Sequence, residues 1–146
     1  MTNQPTHSNA SVTVTKLYNH PPQELFAAWT NIESLKQWMC PEGGQVSFAA
    51  VDLRVGGSYR IDMQFGAEVI VHHGVYREIT PPEKLVFTWI SANTRRQETV
   101  VTIQFARRGA QTELTLTHER FPDAESAQAH STGWHSIFIR LEKVLT

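Results

Sequence analysis

A stripe of apolar residues at helical spacing marks the last part of the chain. From Trp134 onward the apolar side chains recur at positions i, i+3, i+4, i+7 and i+11, and these are Trp134, Ile137, Phe138, Leu141 and Leu145, in a helix predicted from about Ala124 to Val144. This spacing places one wide apolar face on a single helix. We therefore predict a long amphipathic C-terminal helix whose apolar face packs against another element.

Most of the preceding chain has a hydrophobic repeat of two residues, which is typical of strands with one buried face. In one such segment Tyr59, Ile61 and Met63 alternate with polar residues. The predicted strands are Ser11–Tyr18, Val46–Val51, Ser58–Phe65, Glu68–Thr80, a strand around Phe87, a strand around Ile103, and Gln111–Glu119. Turn-forming residues separate them, as in Pro81-Pro82 and Arg108-Gly109-Ala110.

Two short segments after the first strand have helical spacing instead. Pro22 suits the first turn of a helix that contains Leu25 and Trp29. A second short helix follows, with Leu35 and Trp38 on its inner side. The predicted fold class is α+β: a curved antiparallel sheet of six or seven strands wrapped around the C-terminal helix, with two short helices after strand 1. A twisted sheet that holds one helix leaves an apolar hollow, for which we expect a few hundred Å³ (pockets for ligands hold about 300–1,000 Å³).

Composition and charge limit the classes of binding partner and the cellular compartment that we expect for this protein. The chain has 146 residues and a formal net charge of −1, with no basic face of the kind that binds nucleic acid. The first ten residues lack the features of a signal peptide. They also have almost nothing to bury, so we expect a disordered lead (1–10) before one domain (11–146). No apolar run is long enough to cross a membrane. Cys40 is the single cysteine, which fits a reducing cytoplasm.

The order of the short motifs along the chain resembles a known fold family. The motifs are Pro21-Pro22, Leu35-x-x-Trp38, Asp52-x-Arg54-x-Gly56-Gly57, Gly74-x-Tyr76-x-Glu78-Ile79, Pro82-x-x-Leu85-Val86-Phe87-Thr88-Trp89, Thr112-x-Leu114-x-Leu116-x-His118 and Gly133-Trp134. Together they resemble the helix-grip superfamily of START and pollen-allergen-like proteins. Within it, the chain is most similar to the family named after the activator of the Hsp90 ATPase. The superfamily includes lipid carriers, receptors, polyketide cyclases and co-chaperones, so the resemblance implies the fold and no transferable catalytic set.

The candidate ligand-binding residues face the predicted hollow from the sheet, the short helices and the long helix. They are Trp38, Tyr59, Ile61, Met63, Phe87, Trp89, Leu116, His118, Trp134 and Phe138. The alternative is that these side chains fill the core, because protein interiors are close-packed. Four tryptophans in a short chain favour an aromatic wall around a remaining cavity.

Histidines are the candidate polar groups. Counting in twos from Leu116 places His118 on the inner face, where it could bond a bound carbonyl or hydroxyl, act as a general base, or be satisfied by a neighbouring group. His72 and His73 must point to opposite faces of their strand, and the sequence leaves open which one enters the hollow. His130 and His135 lie about 140° apart around a helix, so they form no chelating pair. We expect neither a metal nor a cofactor.

Three functions remain in contention. The leading prediction is a protein that binds an apolar or aromatic small molecule. The second is a cyclase or dehydratase-like enzyme that uses His118 with a carboxylate or with Tyr76 as acid and base. The third is a module that binds a chaperone. A homodimer is left open.

Overall fold

The computed structural model of the protein describes residues 10–145. The predicted lead therefore lies outside the described residues, except for Ala10. The elements are β1 (Val12–Tyr18), α1 (Pro22–Thr30), α2 (Ile32–Trp38), β2 (Gln45–Val51), β3 (Ser58–Phe65), β4 (Glu68–Thr80), β5 (Lys84–Trp89), β6 (Thr99–Arg108), β7 (Gln111–Glu119) and α3 (Ala124–Leu145). This order confirms the predicted element sequence, and a short 3₁₀ turn at Ala92–Thr94 is an addition to it.

The seven strands form one antiparallel sheet in the order β1-β7-β6-β5-β4-β3-β2. The sheet is curled, and α3 lies against its concave face, as predicted. Tyr18 on edge strand β1 donates a hydrogen bond to the backbone carbonyl of Phe138 on α3 at 2.9 Å. On the central strand β5, the Trp89 ring contacts the Trp134 ring of α3 with 5.1 Å between centroids. These two contacts fix the long helix at two places on the sheet.

The short helices begin where the sequence provides local starting signals. Pro22 occupies the first turn of α1, where its missing N–H leaves no hydrogen bond unmade. The side chain of Asn31 caps α2 by accepting a hydrogen bond from the Ser34 N–H at 3.1 Å. Both helices close one end of the curl, because the Trp29 ring of α1 packs edge-on against Trp38 of α2 and also contacts Trp134.

A close approach between β4 and β5 requires a glycine. A Cβ atom built on Gly74 would overlap the carbonyl oxygen of Thr88. The same carbonyl accepts a 2.5 Å hydrogen bond from the Tyr59 hydroxyl on β3. The backbone of β5 therefore lies close to β4 at this point, which brings the inner side chains of β3, β4 and β5 together at the middle of the concave face.

Candidate functional site

All ten predicted ligand-binding residues lie inside the protein, with at most 5% of any of them exposed. The structure does not bring them to one cavity. Met63, Trp89 and Trp134 line a cavity between the sheet and α3. Tyr59, Ile61 and Phe87 line a second cavity with Trp89, and this one has a volume of only about 10 Å³. The remaining predicted residues line neither of these two cavities, and they are Trp38, Leu116, His118 and Phe138.

The cavity between the sheet and α3, here called the main cavity, has a volume of about 90 Å³. This is well below the few hundred Å³ expected from the sequence. The cavity is small because the Trp89 and Trp134 rings are in contact and occupy much of the space between the sheet and α3. The result also lies below the volume of about 150 Å³ that holds benzene in an engineered apolar cavity. A ligand of the main cavity must be small or must extend toward solvent.

The main cavity has a buried floor and a more exposed mouth. The floor consists of Met63, His72, Trp89, His130, Trp134 and Ile137, each at most 9% exposed. The mouth consists of Pro41, Phe65, Ile70, Asn93, Ala129 and Gly133, which are all partly or fully exposed. No Lys, Arg, Asp or Glu is among these twelve lining residues. The arrangement can therefore accept an uncharged molecule without leaving a buried charge unpaired.

One arginine fixes the loop that forms part of the mouth. The guanidinium of Arg140 on α3 donates hydrogen bonds to the carbonyl oxygens of Cys40, Pro41 and Gly44, at 2.9, 3.2 and 2.9 Å. The loop is thereby attached to the helix that it faces. The Cys40 thiol is buried, and desolvation is the main cause that raises its pKa to about 11. A thiol with this pKa is a poor nucleophile at neutral pH.

His118 has both ring nitrogens engaged in hydrogen bonds. Its Nδ1 accepts from the indole N–H of Trp134 at 3.0 Å, so Nε2 carries the proton and donates to Thr99 Oγ1 at 2.7 Å. The Thr99 hydroxyl in turn donates to the Trp89 carbonyl at 2.5 Å. Burial holds the pKa of His118 well below its usual range. His118 is thus a neutral residue whose hydrogen bonds are satisfied by neighbouring protein groups, which is one of the alternatives given for it in the sequence analysis. Neither of its two partners, Thr99 and Trp134, is an acid or a base for catalysis.

His72 and His130 are the two polar floor residues, and neither was among the predicted ligand-binding residues. His72 faces inward and is 4% exposed, because it pairs across the strands with the inward-facing Ile61. Burial is the main cause that lowers the pKa of His72 to about 4, and His130 acts in the same direction. His130 donates from Nδ1 to the Ser126 carbonyl at 2.8 Å, and burial lowers its pKa as well. His130 precedes Trp134 by one helical turn, a signal in the sequence that could have placed it on the inner face.

Two polar atoms of residues that line the main cavity are buried without a hydrogen-bond partner among residues 10–145. They are Nδ1 of His72 and the indole Nε1 of Trp89. The indole Nε1 of Trp29 is in the same condition, but Trp29 borders the cavity of about 10 Å³. Each unpaired buried donor or acceptor destabilises a fold by about 1–3 kcal/mol. Such atoms are rare in native structures, and each one calls for a hydrogen-bond partner such as an ordered water or a ligand group.

The expected absence of a metal site remains an expectation. Within the described part of the chain, no group of three or more His, Cys, Asp or Glu side chains has the geometry to hold an ion. The His118 and His130 rings are neighbours, at 5.0 Å between centroids, but their hydrogen bonds point to protein groups. Asp52 and Arg54, which belong to one of the short sequence motifs, form an ion pair at 2.9 Å, and both are well exposed. No helix among residues 10–145 has the length and apolar content needed to span a membrane.

Solved structures from several organisms share this fold. An AHSA1 protein from Silicibacter pomeroyi is 26% identical, covers 93% of this chain and 97% of its own, and superposes with a TM-score of 0.82. An HSP90 activator from Plasmodium falciparum is 29% identical over 92% of this chain and 95% of its own, with a TM-score of 0.74. A protein from Chromobacterium violaceum has a TM-score of 0.82 at 23% identity, over 92% of this chain and 95% of its own.

Sequence comparison with curated proteins gives no match. The sequence model of a family does match, and it covers residues 19–146, from just before α1 to the last residue of the sequence. This match agrees with the fold and with the resemblance carried by the short motifs. The chain belongs to the family described as Activator of Hsp90 ATPase homolog 1-like protein.

Proposed function

We propose that this protein binds a small apolar or aromatic molecule in the main cavity, between β3–β5 and α3. The observation that carries the proposal is a cavity with a buried, largely aromatic floor and a mouth that reaches the surface. Ligand sites in proteins commonly combine apolar walls with a few polar groups. The cavity volume of about 90 Å³ limits the ligand to a single ring or a short chain, part of which lies in the mouth.

The floor and the mouth explain how such a molecule would be held. Trp89, Trp134 and Met63 offer apolar surface, and removing that surface from water is favourable by about 25 cal/mol per Å². Arg140 holds the Pro41 loop at the mouth, so that this side of the site is formed before a ligand arrives. A preformed site loses less conformational entropy on binding.

Native mass spectrometry of protein purified from the cytoplasm of its own host, the compartment that we propose, tests the function directly. A retained metabolite appears as added mass. Titration with toluene, followed by tryptophan fluorescence, tests the cavity itself, because Trp89 and Trp134 line it. We expect added mass or saturable quenching; the absence of both would refute the proposal.

A pair of matched variants assigns any binding to the main cavity. Ala129→Leu places a larger side chain in the mouth and should abolish the toluene response. Ala124→Leu makes the same change at the exposed start of the same helix, away from the mouth, and should leave the response intact. Equal responses in the two variants would place the binding elsewhere.

Chaperone binding is a second candidate, favoured by the 29% identity to the HSP90 activator from Plasmodium falciparum. Exposed apolar side chains on the outer face of the sheet offer a surface for it, with Phe48 48%, Val69 47% and Val71 37% exposed. The test is the ATPase rate of Hsp90 from the host with and without this protein. An unchanged rate at saturating protein would remove this candidate.

The enzymatic alternative has no comparable support. It required a second ionisable group to meet His118 at one point of the cavity. The hydrogen bonds of His118 go instead to Thr99 and Trp134, and His118 lines neither cavity between the sheet and the helices.

A further inference from the structure

Two neighbouring rings that line the main cavity have buried polar atoms without a hydrogen bond of normal geometry in the described part of the chain. The rings of His72 and Trp89 lie 4.8 Å apart between centroids. His72 Nδ1 and Trp89 Nε1 are both buried and without a hydrogen-bond partner in the described part of the chain, and the two residues are 4% and 2% exposed. Trp29 also has an unpaired N–H, but the cavity beside it holds about 10 Å³, which is no more than the space of one water molecule.

The two atoms together select a type of ligand group. The indole N–H of Trp89 is only a donor, so the ligand must offer an acceptor. A neutral imidazole nitrogen is a donor or an acceptor according to its tautomer. A hydroxyl is the smallest group that can bond both atoms. Its oxygen accepts a hydrogen bond from the indole N–H of Trp89. It can also donate to His72 Nδ1 or accept from it, according to the tautomer of His72.

The other lining residues exclude a charged group. The cavity contains no lysine or arginine that could pair with a carboxylate and no acidic residue that could pair with an amine. An unpaired charge in such surroundings is strongly disfavoured. The apolar walls, Met63, Trp134 and Ile137, suit a hydrocarbon ring.

We infer that the main cavity binds an uncharged compound in which a hydroxyl is attached to a small apolar ring, with the hydroxyl bonded to Trp89 Nε1 and His72 Nδ1. This inference rests on the proposed function and adds to it the polar group of the ligand. The ring extends toward the mouth between Pro41 and Gly133, since the cavity is smaller than the volume of about 150 Å³ that encloses benzene.

Phenol and toluene test the inference as a matched pair, because they differ only by a hydroxyl in place of a methyl group. Full-length protein is titrated with each and followed by two-dimensional ¹H–¹⁵N spectra of the four indole N–H groups. We expect phenol to bind at least about tenfold more tightly, a difference of about 1.4 kcal/mol. The indole signal of Trp89, assigned with Trp89→Phe, should shift with phenol, while that of Trp29 serves as the internal reference.

Variants at His72 test the second atom. His72→Leu should reduce the preference for phenol, whereas His72→Asn keeps a polar atom near the position of Nδ1 and should retain part of it. Equal affinity of the wild-type protein for phenol and toluene would overturn the inference and leave the proposed function standing. A preference for phenol that survives both Trp89→Phe and His72→Leu would also overturn it, because the assigned atoms would then be wrong. Failure of both probes to bind would count against the proposed function itself.

Discussion

Buried neutral histidines should make the stability of this protein fall as the pH is lowered. His72 has a pKa of about 4 in the folded protein, mainly because of burial, while an unfolded histidine titrates near about 6.5. The pKa is depressed, so the contribution is fully present above pH 6.5 and is lost as the pH falls from there toward 4. Each pH unit in this window removes about 1.4 kcal/mol. His72 alone therefore accounts for about 2 kcal/mol between pH 6.5 and pH 5, and about 3 kcal/mol by pH 4.

His118 and His130 add to the same effect, because burial lowers the pKa of both. The groups that influence His72 are His130, which lowers its pKa further, and Asp62 together with the backbone of Ile61 and Ile70, which raise it. The total loss is large against the roughly 5–15 kcal/mol by which a domain is stable. We expect the protein to be much less stable at pH 5 than at pH 7.

Urea unfolding at pH 7 and pH 5, followed by tryptophan fluorescence, measures the effect. His72→Leu removes the titrating group and should reduce the loss between the two pH values by about 2 kcal/mol. His73→Leu removes the adjacent histidine, which is exposed on the opposite face of β4, and controls for the substitution as such. If His72→Leu loses as much stability as the wild-type protein, His72 is not a buried neutral histidine and the reasoning about its environment fails.

Three further substitutions test how the site is held. Gly133→Ala should raise the free energy of unfolding, measured in urea, by up to about 1 kcal/mol, because alanine favours the helix more than glycine does. The new Cβ would meet only Pro41 Cγ, at 3.7 Å, which is an ordinary contact. A loss of stability would show that α3 and the loop pack more tightly than this. Gly74→Ala should lower the melting temperature strongly, since its Cβ would overlap the Thr88 carbonyl; a variant as stable as the wild-type protein would contradict the close approach of β4 and β5. Arg140→Met removes the three hydrogen bonds from α3 to the Cys40–Gly44 loop. Amide hydrogen exchange should become faster in this loop, while the central strands stay protected. Unchanged exchange in the loop would contradict the anchoring role of Arg140.

The fold could be predicted because the sequence shows its periodicities clearly. The alternation of Tyr59, Ile61 and Met63 gave the inner face of β3, and all three are buried. The helical stripe gave the inner face of α3 in the same way. These patterns depend only on local geometry, which repeats every two residues in a strand and every 3.6 in a helix.

The inward orientation of His72 could not be deduced by counting along its own strand. A register shift between Tyr76 and Glu78 interrupts the pairing of β4 with β5, so counting from the turn after β4 gives the wrong parity. Only the pairing of His72 with Ile61 on β3 shows the orientation, and such pairing is a long-range property. The volume of the cavity could not be predicted from the sequence either. Periodicity shows which side chains face one another, but it does not show how closely they approach.

The contrast between two inner-face histidines identifies the part of the interior where binding would be favourable. His118 and His72 share burial and a lowered pKa, so neither property distinguishes a ligand site from a packed core. Their hydrogen bonds do distinguish them, because both nitrogens of His118 have protein partners while Nδ1 of His72 has none. An unpaired buried atom is unfavourable in the free protein, and a ligand that pairs with it removes that penalty on binding. The floor beside His72 and Trp89 is therefore the place where a small molecule would gain affinity beyond apolar contact, and the region around His118 is not.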